Sequence, residues 1–288
     1  MTTIEQVAGM TRGLLSGALN NEVTRLATAY NPDDPTISLL HDKRVGEGSV
    51  LSIGLNTFVA ATSTTGREVS VVPGLDGSPD VSQPAGAIVF VRPRHTNWQI
   101  VSNLTLTISS LSSAKHGLYQ MKTEEFPSDP TWNTYVLASD PLKVHRVRYR
   151  VIGSPDQWAN SAFEERSTPD GNVVYAPQVP GGTTVEVRYG ADFSVPESLD
   201  DTLEDLGMPD TYAQMLAVGA ARGLALASES RRNQPFSQGD PRRAEEVPMT
   251  GNVVVYDRLQ RWFRDLVAEE RARLVQDNSY RIKMEAFR

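Results

Sequence analysis

From Thr2 to Tyr30 the apolar side chains fall at Ile4, Val7, Met10, Leu14, Leu15, Leu19, Val23 and Leu26. Spacings of three and four place them on one face of an amphipathic helix. Thr2 or Thr3 supplies the N-cap, and Asn31-Pro32 marks the stop, because the residue before a proline is pushed out of helical conformation. Gly9, Gly13 and Gly17 recur at intervals of four, which predicts close packing of another helix along that stripe. Arg12, Asn20, Asn21 and Glu22 break its apolar character and argue against a membrane dimer motif.

Between Thr36 and Pro93 the period shortens to two. Val50-Leu51-Ser52-Ile53, Thr57-Phe58-Val59-Ala60, Glu68-Val69-Ser70-Val71-Val72 and Ala87-Ile88-Val89-Phe90-Val91 are bounded by glycine, proline or asparagine, as strands are. They predict a small β barrel or sandwich of about 55 residues. A second helix follows over 97–113, weak in propensity because of its serines and threonines, with Gly117 as a left-handed stop. From Leu118 to Val195 the chain returns to strands, at 134–137, 144–151, 173–175 and 183–189, with turns at 154–156, 169–172 and 180–182. Residues 144–151 alternate apolar and basic groups, which predicts one wet face, and the region as a whole predicts a β-sandwich. Two helices close the chain. The first, capped by Asp210 and running to about Ser230, carries the narrow stripe Met215, Leu216, Gly219, Gly223 and Leu226, which admits a close helix neighbour. The second, 252–276, places Val255, Leu259, Trp262, Phe263, Leu266, Val267 and Leu274 on one side. The fold class is therefore α+β, with helices at both ends and β regions between them.

Composition narrows the chemistry. None of the 288 residues is cysteine, which excludes disulfides, zinc-thiolate sites and thiol nucleophiles. No apolar stretch approaches the roughly 18 residues that cross a bilayer, and the N-terminus lacks the basic and apolar regions of a signal peptide. A soluble, intracellular protein is expected. The net charge of −7 is uneven: residues 1–210 hold 15 Lys/Arg against 25 Asp/Glu, and residues 211–288 hold 13 against 10. Such an acidic body has little sequence-independent grip on phosphates, so DNA beside it would pass and not be held; equally, acidic surface simply keeps a protein in solution.

Catalytic patterns are missing. The histidines at 41, 95, 116 and 145 share no ligand spacing, and no nucleophile elbow, phosphate loop or His-Glu-x-x-His occurs. Gly74-Leu75-Asp76-Gly77-Ser78 lacks the alternating carboxylates of a calcium loop and reads as a tight turn. The carboxylate pairs, such as Glu164-Glu165 and Asp200-Asp201, are adjacent in sequence and so point apart. Asn103-Leu104-Thr105 lies inside a predicted helix and is a chance glycosylation match. Arg231-Arg232 and Arg242-Arg243 flank a proline-containing loop, as contacts to an acidic partner or as solvated charge. No catalytic residue, metal ligand or cofactor is assigned.

The order of the segments resembles the head-to-tail adaptor (connector) proteins of tailed actinobacteriophages. The residues that carry the resemblance are Ser38-Leu39-Leu40, the run Val45 to Gly54, the run Val69 to Ser78, Pro84 to Val89 with Pro93-Arg94, Gly117-Leu118-Tyr119, Val187-Arg188-Tyr189, Leu206-Gly207-Met208-Pro209 and the paired C-terminal helices. Against the family pattern, Asn56 stands where an acidic residue is expected and Pro73 where an arginine is expected.

The resemblance implies a helical bundle formed by N-terminal, middle and C-terminal helices, with a small β barrel and a β-sandwich as insertions. The divisions are then 1–35, 36–95, 96–117, 118–196 and 197–277, with a docking tail at 278–288. It implies a virion neck protein, assembled in the host cytoplasm, twelve copies of which form a ring beneath the portal protein and meet the next neck or tail-completion protein. Genome DNA passes through without sequence-specific binding, and no membrane is involved. The portal contacts expected on this basis are Arg281, Lys283, Met284, Phe287 and Arg288 in the basic tail. Neck or tail contacts are expected at the strand tips, at Leu75, Asp76, Asp170 and Asn172. A minor tail or baseplate structural protein, and a carbohydrate-active or receptor-binding β domain, are the alternatives from other classes.

Overall fold

A computed structural model describes residues 1–16, 22–32, 34–41, 45–62, 67–113, 115–128, 133–138, 141–168, 171–236 and 251–277. The chain divides into two compact units, the first formed by Met1–Ile108 with Val195–Glu269 and the second by Ser109–Ser194 with Glu270–Arg288. Among the described residues are four α-helices and three antiparallel sheets, a mixed α+β architecture.

The first helix, α1 (Ile4–Ser16), starts at a reciprocal capping box. Gln6 N–H donates to the Thr3 hydroxyl while Thr3 N–H donates to the Gln6 side chain, so two of the orphan donors of the first turn are satisfied. Its buried face is Ile4, Val7, Ala8 and Thr11. The helix is shorter than the apolar spacing predicts. Beyond residues 17–21, which lie outside the described residues, the chain runs as strand β1 (Glu22–Arg25). Here Thr24 and Leu26 are buried while Val23 is 41% exposed, a period of two that replaces the helical one. The cause is tertiary: β1 pairs antiparallel with β6 (Ile88–Val91), from Glu22 opposite Val91 to Arg25 opposite Ile88. The glycine stripe is also corrected, since a Cβ at Gly9 or Gly13 would meet nothing within 4 Å.

The remaining strands of this unit are β2 (Thr36–Ser38), β3 (Val50–Ile53), β4 (Asn56–Ala60) and β5 (Glu68–Val72), in the order β1-β6-β3-β4-β5-β2. The two edges meet at one end, where Leu26 bridges Leu39, Ala27 N–H donates to Ser38 O at 2.8 Å and Leu40 N–H donates to Arg25 O at 2.8 Å. The sheet is thus a half-closed barrel around Leu39, Leu51, Ile53, Phe58, Val69 and Val89. Tyr30 lies edge-on to Phe58 with ring centroids 5.0 Å apart, and its hydroxyl donates to Asp80 Oδ1. Asn56, fully buried, shows why an acidic residue would serve poorly at that position. Its Nδ2 donates to Val81 O at 2.7 Å while its Oδ1 accepts from Val81 N–H at 3.2 Å, a donor and acceptor pair that a carboxylate cannot supply.

Helix α2 (Asn97–Leu111) opens with a second box, in which Gln99 N–H donates to the Thr96 hydroxyl and Thr96 N–H to the Gln99 side chain. It ends two residues before the predicted Ser113, and Gly117, at φ +65°, takes the left-handed conformation in the turn that follows. Helix α3 (Tyr212–Phe236) outlasts its predicted end at Ser230. Asp210 does not cap α3 with its side chain; its Oδ1 accepts from Thr2 N–H at 2.7 Å, tying the start of α1 to the start of α3 and holding the carboxyl below its ordinary range. Helix α4 (Gly251–Asp277) covers the predicted segment.

α3 is the element on which the other helices of the first unit converge. Thr11 of α1 donates to Val7 O at 2.9 Å and reaches Ala217 O of α3 at 3.5 Å. A Cβ at Gly219 would stand 2.4 Å from Thr107 Cγ2 of α2 and 2.9 Å from the Phe263 ring of α4, and one at Gly223 would stand 2.4 Å from Asn103 Oδ1. Arg222 lies 4.5 Å over the Phe263 ring and donates to the Gln260 side chain, and burial pushes its pKa down.

In the second unit, β7 (Gln120–Pro127), β9 (Lys143–Val151), β10 (Ser154–Ser161) and β13 (Thr184–Ala191) form a sheet in the order β10-β9-β13-β7. A second sheet joins β8 (Thr134–Val136), β11 (Glu164–Thr168) and β12 (Gly171–Tyr175) in the order β11-β12-β8. Both contribute to one apolar cluster that includes Tyr135, Val147, Val174, Val185, Val187 and Tyr189, the arrangement of two sheets over a shared core. Two predicted turns are strand instead. Residues 154–161 pair with β9 through a register shift between Ser154 and Trp158, which accommodates Pro155, and residues 171–172 begin β12.

The glycine contacts give predictions of opposite sign. Gly219→Ala is expected to destabilise the protein by about 1–3 kcal/mol through overpacking, with partial recovery when Thr107→Ala is added. Gly9→Ala and Gly13→Ala, whose added methyls face open space, are expected to stabilise it by up to about 1 kcal/mol through helix propensity. Urea unfolding midpoints of the four variants check both.

Candidate functional site

Among the described residues no group of three His, Asp or Glu side chains is placed to hold a metal ion, and no helix is long and apolar enough to cross a membrane. Charge and exposed apolar area mark the candidate surfaces.

The first candidate is the strand tip at Leu75 and Asp76. Gly74, at φ +81°, and Asp76, at φ +57°, turn the chain through a single 3-10 turn, Leu75–Gly77. Asp76 is not a loose tip. Its carbonyl accepts from the Trp98 indole N–H at 3.1 Å and its Oδ2 from the Gln99 side chain at 2.7 Å, so the turn is fastened to the first turn of α2. Ser78, next to it, is buried and accepts from Thr57 N–H through Oγ. Leu75 is half-buried. Of the other predicted tip, Asn172 stands in β12 opposite Ser167, and Asp170 lies outside the described residues. So do Arg281, Lys283, Met284, Phe287 and Arg288.

The outer face of the four-stranded sheet carries a charge array that the alternating pattern of 144–151 indicated only in part. Register places Arg148 of β9 opposite Glu186 of β13, Arg146 opposite Arg188, and Arg150 opposite Trp158 of β10. Glu186 is only 5% exposed and accepts from Arg146 at 3.4 Å and from Arg148 at 2.5 Å. The Arg148 and Arg150 guanidiniums lie 4.5 and 5.2 Å from the Trp158 ring centroid. The predicted wet face is therefore partly covered by its own neighbours. It carries Arg146, Arg148, Arg150 and Arg188 against Glu186 and Glu125, a positive face in an acidic chain. Sequence reasoning missed the rest of it because Glu186 is 38 residues from Arg148, and because Trp158 meets Arg150 only through the shifted register of β10 on β9.

At the Lys143 end of β9, His145 lies beside Tyr119, with ring centroids 5.1 Å apart. Tyr119 in turn lies against Gly190, where a Cβ would stand 2.6 Å from its ring. Burial first, and then Lys143 and Arg188, hold the His145 pKa below its ordinary value, with Glu165 acting the other way.

The first unit presents a second surface that the helical spacing did not separate from the core. Of the predicted apolar side of α4, Leu259, Phe263 and Val267 are buried, but Val255 is 41% and Trp262 36% exposed. With Leu14 of α1 they line an open groove of about 620 Å³ that also holds Arg258, Arg261 and Asp265. A separate cleft of about 580 Å³ lies between the barrel and residues 197–200, with Arg25, Gln83, Asn97, Glu5, Glu197 and Asp200 among its walls. Above it, Arg12 of α1 lies 4.1 Å over the Phe90 ring, and burial lowers its pKa to about 10 despite the nearby Glu5.

In comparisons with known proteins, no family model and no curated protein matches this chain.

Two predictions follow the charge array. Glu186→Gln leaves Arg146 and Arg148 half-buried without their carboxylate and is expected to cost about 2–4 kcal/mol, read by chemical unfolding, whereas Glu125→Gln on the exposed rim is expected to change stability by less than about 0.5 kcal/mol. A His145 pKa held low in the folded state means that the unfolded chain binds more protons once the pH falls through about 6.5, so stability present above that pH is lost as it falls. The unfolding midpoint of the natural chain is expected to drop more steeply between about pH 7.5 and 5.5 than that of His145→Gln; parallel slopes would remove the role of His145.

Proposed function

We propose that this protein is a structural head-to-tail adaptor of a bacteriophage virion, forming a ring beneath the portal that connects the capsid to the neck and tail and passes genome DNA. The observation that carries the proposal is the convergence of helices from the N-terminal, middle and C-terminal parts of the chain on α3, at Ala217, Gly219 and Arg222. Under this proposal α1 to α4 form one helical bundle, and the half-closed barrel and the two-sheet unit are insertions into it. That is the architecture implied by the adaptor resemblance of the sequence.

The charge distribution supports the same role. Residues 1–210, with 25 Asp/Glu and 15 Lys/Arg, would repel a phosphate backbone passing close by, and the C-terminal 78 residues, with 13 Lys/Arg and 10 Asp/Glu, suit an acidic partner surface. The proposal assigns Arg281, Lys283, Met284, Phe287 and Arg288 to portal docking, and Leu75, Asp76, Asp170 and Asn172 to contacts with the next neck or tail component. Asp76 is fixed to α2 through Trp98 and Gln99, so the contact at this tip is rigid, with little ordering cost on binding.

Electron cryomicroscopy of virions is expected to place the chain as a ring directly under the portal. A position farther down the tail would replace the adaptor with a minor tail or baseplate component. Deleting residues 278–288 is expected to leave the melting temperature unchanged and to abolish binding to purified portal protein; undiminished binding would remove the docking role of the tail.

A further inference from the structure

The groove between α1 and α4 has the composition of a protein-binding site. Its apolar part is Leu14, Val255, Leu259 and Trp262, and the cations at it are Arg258 and Arg261, both exposed. Exposed tryptophan beside arginine is the pairing found at the energetic centres of interfaces.

The same unit carries a surface of opposite sign. Residues 195–210 contain Glu197, Asp200, Asp201, Glu204, Asp205 and Asp210, with no lysine or arginine among them. Three of these carboxylates serve the local fold: Asp201 accepts from the backbone of Glu197 and Ser198, Asp205 from Thr202, and Asp210 from Thr2. Glu197, Asp200 and Glu204 are exposed. This stretch is fastened to the first turn of α1, where Ile4 N–H donates to Asp201 O and Glu5 N–H to Leu199 O, each at 2.9 Å. Leu14, at the groove, lies ten residues farther along the same helix, about 15 Å at 1.5 Å per residue.

Acidic and basic-apolar surfaces therefore stand at opposite ends of one rigid helix, too far apart to meet within one copy. We propose that they meet between copies, with Glu197, Asp200 and Glu204 of one chain seated against Arg258, Arg261 and Trp262 in the α1–α4 groove of the next. A contact of this kind uses two different patches, is heterologous, and closes into a ring when the rotation between neighbours permits. It rests on the adaptor proposal above and supplies the subunit interface of that ring. Opposed charges at the rim set register and encounter, and Trp262 supplies the apolar anchor.

Mass photometry of the full chain, alone and with portal protein, tests the interface through paired charge reversals at exposed positions. Arg258→Glu with Arg261→Glu, and separately Glu197→Lys with Asp200→Lys and Glu204→Lys, are each expected to weaken assembly about tenfold or more while circular dichroism melts stay unchanged. Mixing the two reversed chains is expected to restore assembly, because each altered surface then meets a complementary one in alternating order. The natural chain has no cysteine, so Asp200→Cys combined with Arg258→Cys adds one reactive pair per copy. Oxidation is expected to link many chains together, whereas each single variant stops at dimers. Unchanged assembly of both reversed chains, no recovery on mixing, or a disulfide closed within one chain would overturn the interface and leave the adaptor proposal standing. A natural chain that stays monomeric with and without portal protein would overturn both.

Discussion

The absence of two side chains on α3 sets the spacing of the helices in the first unit. Where Gly219 and Gly223 lie, any Cβ would collide with Thr107 and Phe263 or with Asn103, so α2 and α4 approach the α3 backbone itself. At that distance ordinary van der Waals contact extends along the helices, and small positional changes are felt by every neighbour. Arg222, between the two glycines in sequence, fixes α4 further by lying over Phe263 and donating to Gln260. The groove that carries Trp262 and Arg258 is positioned by this contact, because Phe263, the next residue, is the one wedged against Gly219.

Charge has two separate uses in this chain. In the second unit it is satisfied internally: Glu186 is buried between Arg146 and Arg148, and Arg148 and Arg150 lie over Trp158, so the array stiffens a sheet face. In the first unit several carboxylates are consumed by backbone donors at Asp201, Asp205 and Asp210, while their sequence neighbours Asp200 and Glu204 face water. A count of net charge merges these uses. Under the adaptor proposal both uses are needed, since repulsion of phosphate is a long-range effect of the sum and subunit contact is a short-range effect of particular pairs.

The strands at 50–53, 57–60, 68–72 and 88–91 were legible because each alternates and is flanked by turn residues, and the C-terminal helices were legible because their period holds over more than twenty residues. The first segment misled because Val23 and Leu26 fit a helical period by accident, while Val23 and Thr24 are β-branched residues that the edge of β6 draws into a sheet. The same holds for 154–161, where Ser-Pro-Asp signals a turn and pairing with β9 overrides it. The candidate surfaces were harder to read, since Trp262 and Phe263 are adjacent in one apolar pattern and yet one is exposed and the other buried.

The sequence by itself determined the class, with helices at both ends and antiparallel strands between, together with the lack of thiol chemistry and the unequal division of charge. Those properties depend on local period and composition, which a single chain displays residue by residue. Tertiary structure alone decided which glycines were close contacts, with Gly219 and Gly223 packed and Gly9 and Gly13 open. It also decided which carboxylates face outward and which half of the α4 stripe stays uncovered. Each of those outcomes depends on residues tens to hundreds of positions away, brought together by pairing and packing that no local pattern encodes.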